Sequence, residues 1–440
     1  MQERFHYHSL EEVAGKAREL GVRLPLSERL EVLRRPLTVG GRRLENRLAV
    51  QPMEGCDGEA DGAPGELTLR RYLRFAQGGA GLLWLEAVAV EPRGRANPRQ
   101  LWLHEGNLDD FKRLVERVKE AGLRANGFAP LLILQATHSG RYAKPNGVPE
   151  PIIAYNNPLF EGEHPIPRER IVTDDELRAL EPLYGRTARL AQEAGFDGVD
   201  VKACHRYLVS ELLSAYGRKG AYGGSLENRT RLLANGVRAA QAATTGDFLV
   251  TCRLNLYDGF PYPYGFGVRE DAGLEPALME PIRVVDLLHR QLGLRMLNFT
   301  IGNPYVNPHV NRPYDAGGYE PPEHPLEGVA RMFHCIGEVS QRFPELVAVS
   351  SGHSYLRQFA PQLAAGAVEQ GIANVAGFGR EAFAYPEFAR DILAGRGLDP
   401  KRVCVCCSRC TQLMRAGAVA GCAMRDEVYR EIYRREVQQR

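Results

Sequence analysis

AGLLWLEAVAV (80–90), NLDDFKRLVERVKEA (107–121) and LLILQAT (131–137) follow one another as an apolar run, a helix-like segment and a second apolar run. Runs that are apolar at nearly every position suit strands buried on both faces, as in a parallel sheet covered by helices. The pattern extends in both directions. Upstream lies RLAVQPM (47–53); downstream come GVDVKA (198–203), FLVTCRLN (248–255), MLNFTIG (296–302), LVAVSSG (346–352) and NVAGFG (374–379). Another helix is predicted over residues 174–194, with Thr173 as its cap and Glu176 completing a capping box. Eight strand–helix units over about 340 residues predict a (β/α)8 TIM barrel of class α/β rather than a doubly wound sheet.

Composition narrows the function classes. The 440 residues are 44% hydrophobic and 25% charged, with a formal net charge of +2. Such a balance gives no electrostatic footprint for nucleic acid. The charged start MQERFHYHSLEEVAGKARELG does not read as a signal peptide. Residues 78–90 form the nearest approach to a membrane-length apolar run, and Glu86 interrupts them. The expectation is a soluble, cytoplasmic protein with a small-molecule substrate, no membrane association and a homo-oligomeric state. Residues 1–35 are expected to form a helical N-terminal extension, 36–400 the barrel, and 401–440 a cysteine-rich segment with a helical tail.

Polar residues gather where the predicted strands end. They are Met53 and Glu54, Gln135 with His138 beyond it, Lys202 and His205, Arg253, Ser351-Gly352, and Gly377-Phe378-Gly379-Arg380. A barrel of this type builds its active site at that face, with a phosphate site after strands seven and eight. Gly352 and Gly379 would let backbone N–H groups approach a phosphate, and Arg380 would add a charge-assisted contact. Gly377-x-Gly379-x-x-Ala382 also fits a relaxed dinucleotide fingerprint. It falls on the last strand, and no further strand with an acidic end follows, so a Rossmann domain is rejected.

ENRLAVQPM (45–53), LQATHSGR (134–141), KACHRYLVSELLSAYGRKGAYGGSLENR (202–229) and ANVAGFGR (373–380) resemble the Old Yellow Enzyme flavoproteins, the NADH:flavin oxidoreductases. The most specific part is YGGSLENR (222–229) with His205-x-Tyr207 upstream. The resemblance implies an FMN-containing barrel that takes hydride from NAD(P)H and passes it to an unsaturated, oxygen-bearing acceptor. On that map Pro52, Met53 and Glu54 lie along the flavin, Gln135 meets its pyrimidine edge, and Arg253 stands near N1, where positive charge stabilises the reduced ring. Gly352, Gly379 and Arg380 hold the phosphate. Lys202 and His205 hold the acceptor oxygen, and Tyr207 protonates the carbon opposite the hydride. Plainer alternatives are a surface charge for Lys202, core packing for His205 and Tyr207, and a buried ion pair for Arg253. His138 and Arg141 read as loop-shaping residues. The sequence departs from the family pattern at Lys202, usually His; at Glu54, usually Thr or Cys; and at Arg206, usually Gly.

Of nine cysteines, five crowd into 404–422, and Cys404-x2-Cys407-x2-Cys410-x11-Cys422 has the spacing of an iron–sulfur site. Its place resembles the subgroup of 2,4-dienoyl-CoA reductase and trimethylamine dehydrogenase, which carries a 4Fe-4S cluster beside the FMN. Cys406 is then spare, although a register pairing Cys406 with Cys410 stays open, as do a zinc site made by four cysteines and metal-free thiols. A cluster here implies an external electron-transfer partner. The expected activity is an FMN-dependent, ene-reductase-like oxidoreductase. The alternatives are an amine or alcohol dehydrogenase passing electrons through the cluster, and a zinc-stabilised barrel without catalysis.

Overall fold

The structure, a computed structural model, describes residues 3–439; Met1, Gln2 and Arg440, at the ends of the expected extension and tail, lie outside it. Eight parallel strands close into a barrel, each followed by a helix. In chain order these are β1 (Leu48–Val50), α1 (Glu66–Gln77), β2 (Leu82–Ala89), α2 (Leu108–Asn126), β3 (Leu131–Thr137) and α3 (Asp174–Glu193). Then come β4 (Gly198–Val201), α4 (Arg231–Ala242), β5 (Leu249–Asn255), α5 (Met279–Asp286) and β6 (Met296–Thr300). The last turns are α6 (Pro325–Ser340), β7 (Val347–Ser350), α7 (Ala360–Glu369), β8 (Val375–Phe378) and α8 (Phe388–Leu393). β8 pairs with both β7 and β1, which closes the ring and leaves no edge strand.

Alternation along each strand divides the apolar residues between two layers. Leu82, Trp84, Ile133, Leu249, Met296 and Val375 fill the barrel interior. Leu83, Leu85, Leu134, Val199 and Val201 face outward into the layer beneath the helices. This two-sided burial is why the strands read as continuous apolar runs. A short hairpin, Leu37–Val39 with Arg42–Leu44, inserts Val39 and Leu44 into the interior layer beside Leu249. It plugs the end where the strands begin and leaves the opposite mouth for a ligand.

The helices obey their predicted signals. The Thr173 hydroxyl accepts from the Glu176 N–H, and the Glu176 carboxylate accepts from the Thr173 N–H at 2.8 Å. α2 buries Phe111, Leu114, Val115 and Val118 on one face and ends at left-handed Gly127. Several strands stop short of their predicted ends. β1 ends before Pro52, which has no N–H for a ladder, and β6 ends before Gly302, whose φ of 71° turns the chain away.

Ahead of the barrel, helix Leu10–Glu19 is capped by Ser9, and Phe5 packs edge-on against Tyr7 and Tyr355. After α8 the chain forms the cysteine loop, then helices Arg409–Arg415 and Glu427–Tyr433 around a small core of Leu413, Val419, Ala423, Tyr429 and Tyr433. This tail is tied to the barrel mouth. Asp426 accepts from Arg70 of α1 at 2.8 Å, and the Ala420 N–H donates to the Gly55 carbonyl at 2.6 Å. Among the described residues, no helix is long and apolar enough to cross a membrane.

Candidate active site

A cavity of about 170 Å³ opens at the C-terminal ends of the strands. Pro52, Met53, Glu54, Gln135, Lys202, His205, Tyr207, Arg253, Gly352, Gly379 and Arg380 all line it. The ends of β1, β3, β4, β5, β7 and β8 therefore deliver every expected flavin and acceptor residue to one place.

The floor is a buried polar network. The Gln135 amide donates to Asp200 Oδ2 at 2.7 Å, and Asp200 Oδ1 accepts from the Arg253 backbone N–H at 2.6 Å. Gln51, which the sequence reading passed over, donates to Asn298 Oδ1, the Ser350 carbonyl and Ser351 Oγ at 3.0–3.1 Å. A Cβ on Gly377 would lie 2.1 Å from Gln51 Nε2, so glycine is required where β8 crosses this network.

One wall is cationic and under-partnered. Arg253 is buried, its Nη2 donates to Ser351 Oγ at 3.5 Å, and its Nε has no partner. Arg380 is buried as well; Nη2 donates to the Pro313 carbonyl at 3.0 Å, while Nη1 is unsatisfied. Buried guanidinium nitrogens without acceptors are costly, and an anionic ligand in the cavity would satisfy them. Gly352 has φ 92°, which turns the chain at the end of β7 and directs it into the next helical turn. The pieces of a phosphate cradle thus lie beside the cation that would complete it.

The opposite wall carries Lys202, His205 and Tyr207. His205 and Arg206 are both left-handed, with φ of 64° and 61°. Strain of this kind persists when neighbours enforce it, and Arg206 supplies the anchor. Its guanidinium donates to the Tyr264 carbonyl and the Tyr155 hydroxyl at 2.8 Å each, and to Asp258 at 3.2 Å. Burial beside Arg253, Lys202 and Arg312 pushes His205 well below its ordinary value, so the imidazole is neutral at pH 7. Burial also lowers Lys202, and the Glu54 carboxylate at 3.7 Å partly offsets this. The Lys202 ammonium lies 3.5 Å from the centre of the Tyr207 ring.

Besides Gln51, two lining residues were missed in the sequence. Tyr305, after β6, shares a 2.8 Å hydrogen bond with the Tyr207 hydroxyl and stacks on Tyr142 at 4.0 Å. Arg312, in the same segment, also lines the cavity, and burial beside Arg380 pushes it down to about 10. The available signal was a Tyr and an Arg in the loop directly after a strand end. His138 and Arg141 are structural, as expected: His138 meets Glu91 at 3.0 Å, and Arg141 bridges Glu161 and Glu211 at 2.5 Å each.

The cysteines collect beside this site. Cys404, Cys406, Cys407, Cys410 and Cys422 line one small cavity of about 20 Å³, and Arg380 lines both it and the larger cavity. Burial and the neighbouring Cys404 raise Cys407, Cys410 and Cys422. The Cys406 thiol lies beside that of Cys404 and 3.5 Å from the Ser354 carbonyl. Among the described residues, no three His, Cys, Asp or Glu side chains already stand in a metal-holding arrangement. The thiols share a cavity without forming a closed ligand set.

A parallel barrel with glycines, a buried cationic wall and a pinned amide at its mouth has the form of a barrel enzyme with a site suited to an anion. The chain belongs to the NADH:flavin oxidoreductase / NADH oxidase family, whose sequence profile matches residues 33–265, more than half the chain. It is 33% identical over 205 residues to the NADPH dehydrogenase of Bacillus subtilis (strain 168), covering 45% of this chain and 56% of that protein. It is 32% identical over 241 residues to the NADPH dehydrogenase of Geobacillus sp. (strain WCH70), covering 53% and 66%. The chain therefore spans just over half to two thirds of these curated relatives. In fold it is similar to a 2-naphthoyl-CoA reductase in complex with 2-naphthoyl-CoA, with a TM-score of 0.72 at 19% identity, over 91% of this chain and 58% of that one. It is also similar to a morphinone reductase bound to tetrahydroNAD, with a TM-score of 0.61 at 23% identity, over 83% and 92%.

Proposed function

We propose that this protein is an FMN-dependent oxidoreductase that draws reducing equivalents from NAD(P)H and delivers them to an unsaturated, oxygen-bearing small molecule. The observation that carries this reading is the convergence of unpartnered Arg253 Nε, Arg380 Nη1 and His205 Nε2 on one cavity with Gly352 and Gly379. FMN bound there would supply two-electron transfer between the nicotinamide and the second substrate. Gly352, Gly379 and Arg380 would bind its phosphate, Arg253 would balance negative charge on its ring, and Gln135, fixed by Asp200, would orient it. Pro52 and Met53 would pack along it. Lys202 and His205 would hold and polarise the acceptor oxygen, and Tyr207 would protonate the acceptor carbon.

Cys404, Cys407, Cys410 and Cys422 would hold a 4Fe-4S cluster, which supplies one-electron transfer and calls for an external electron partner. The ligand spacing carries this set, and because all five thiols line the shared cavity, a register using Cys406 is the alternative that substitution must decide. A second reading, oxidation of an alcohol or amine at the same site, draws on one observation. The Glu54 carboxylate already accepts the Tyr207 hydroxyl at 2.9 Å, as a base would.

Anaerobic purification followed by flavin, iron and zinc analysis tests the cofactors. One FMN and about four irons per chain are expected. Stopped-flow mixing of the NADPH-reduced chain with 2-cyclohexenone, and of the oxidised chain with an alcohol or amine, assigns the direction. A chain that purifies and reconstitutes without flavin overturns the proposal.

A further inference from the structure

The carboxylate at the cavity mouth has no role in the reductive reading above. Glu54 is the single acidic residue among those lining the cavity, and it contacts the acid candidate directly. Tyr207 donates to Glu54 Oε1 at 2.9 Å, Tyr305 meets the same Tyr207 hydroxyl at 2.8 Å, and Lys202 lies 3.7 Å from Oε1. Tyr207 is buried, whereas Glu54 keeps 14% of its side chain exposed. The phenol is thus almost wholly covered in the chain, while the carboxylate reaches the surface. We infer that Glu54 is the proton terminal of the site, exchanging protons with solvent and passing them to and from Tyr207. This rests on the reading of Tyr207 as the group that protonates the acceptor.

The hydrogen-bond direction makes Glu54 a switch as well as a reservoir. While Glu54 is ionised it captures the Tyr207 hydroxyl, so that proton points away from the acceptor. Once Glu54 carries a proton, its own O–H donates to the Tyr207 oxygen and the phenolic O–H is free to turn to substrate. In reduction the acceptor double bond opens. One carbon receives a hydride, which a bound flavin reduced by NAD(P)H would supply, and the other receives the Tyr207 proton. The Tyr207 O–H breaks, the phenolate takes the Glu54 proton, and Glu54 takes one from water. The sum consumes one acceptor, one NAD(P)H and one solvent proton, and yields reduced product and NAD(P)+. In oxidation the same protons run outward.

The surroundings of Glu54 fit this traffic. Lys202, Tyr207 and Cys204 face it from the end of β4, Tyr305 from the segment after β6, Glu86 from β2, and Cys56 from its own loop. Burial, then the Glu54 charge and Tyr305, push the Tyr207 phenol well above its ordinary value. A spontaneous phenolate is therefore excluded at neutral pH, and proton transfer must be relayed. Lys202 supplies the positive charge that lets a carboxylate stand beside a site that becomes electron-rich on reduction.

The test uses the FMN-loaded, NADPH-reduced full chain mixed with 2-cyclohexenone across pH in wild type, Glu54→Gln, Tyr207→Phe and the double variant. The glutamine amide can donate to Tyr207 but cannot titrate. Expected are a wild-type reoxidation rate that falls with rising pH, loss of that limb in Glu54→Gln, and a drop of about 10²-fold or more in Tyr207→Phe. The double variant should be no slower than Tyr207→Phe alone, since both act on one proton path. Infrared difference spectra should show a protonated-carboxyl band that vanishes in Glu54→Gln and shifts in Tyr207→Phe. A wild-type pH limb retained in Glu54→Gln, or multiplicative losses in the double variant, overturns the relay. Failure of the wild type to reduce the enone while the infrared band behaves as stated would instead count against the enone-reductase reading.

Discussion

Arg253 shows how much a single side chain can be asked to do. Its guanidinium is buried with no direct ion pair, only the more distant charge of Asp200, so removing it should relieve a poorly paired charge while weakening whatever anion the cavity takes. Arg253→Met is expected to bind FMN about 10- to 100-fold more weakly, the loss of one or two charge-assisted contacts, and to unfold no earlier than wild type without flavin. Fluorescence titration of apo-protein with FMN, alongside thermal melts, reads both. The lining residues named from strand ends, among them Gln135, Lys202, His205, Arg253 and Arg380, were legible because strand ends in a barrel face one mouth. Tyr305 and Arg312 were not. They lie in an irregular segment whose path depends on anchors such as Asn307, whose side chain ties it to the Asp258 and Gly259 carbonyls.

At the level of elements, local chemistry was the more readable. The Thr173–Glu176 capping box was visible as a four-residue pattern and is formed in the structure. Thr173→Ala should cost about 1 kcal/mol in urea unfolding with no change in flavin binding, because α3 starts on the outer layer. The end of β7 behaves differently. His353 is buried, its Nε2 lies 2.9 Å from Ser350 Oγ, its ring stacks on Phe378, and burial pushes it from 6.5 down to about 3. The unfolded chain then binds one more proton than the folded chain between those values. Stability from the neutral imidazole is complete above about pH 6.5 and is lost as pH falls, at up to about 1.4 kcal/mol per unit. His353→Gln should flatten the unfolding free energy measured from pH 6.5 to pH 4.5. An unchanged slope would remove His353 from the acid sensitivity of the barrel.

Across the whole molecule, the cysteine tail and the barrel act as one assembly. Ala420 bonds to Gly55, Asp426 to Arg70, and Arg380 faces both cavities. Replacing Cys404, Cys407, Cys410 and Cys422 together by serine should abolish iron binding yet leave FMN stoichiometry near wild type. Cys406→Ser alone should retain the iron, and metal analysis with the visible spectrum distinguishes the two. If Cys406→Ser loses iron and Cys407→Ser keeps it, the ligand register is the other one.

The sequence by itself determined the barrel, its eight strands and the order of its helices, because burial on both faces, capping and turn chemistry are written within a few residues of one another. It also marked the strand-end residues, since the period of a parallel barrel sends all its strand ends to one side. Only the tertiary structure decided which groups meet across the mouth. Glu54 and Tyr207 are 153 positions apart and hydrogen-bonded, and Arg206 holds a left-handed turn through Asp258, 52 positions away. Such pairings depend on ring closure and loop packing, where contacts between distant residues set the geometry and no local pattern records them.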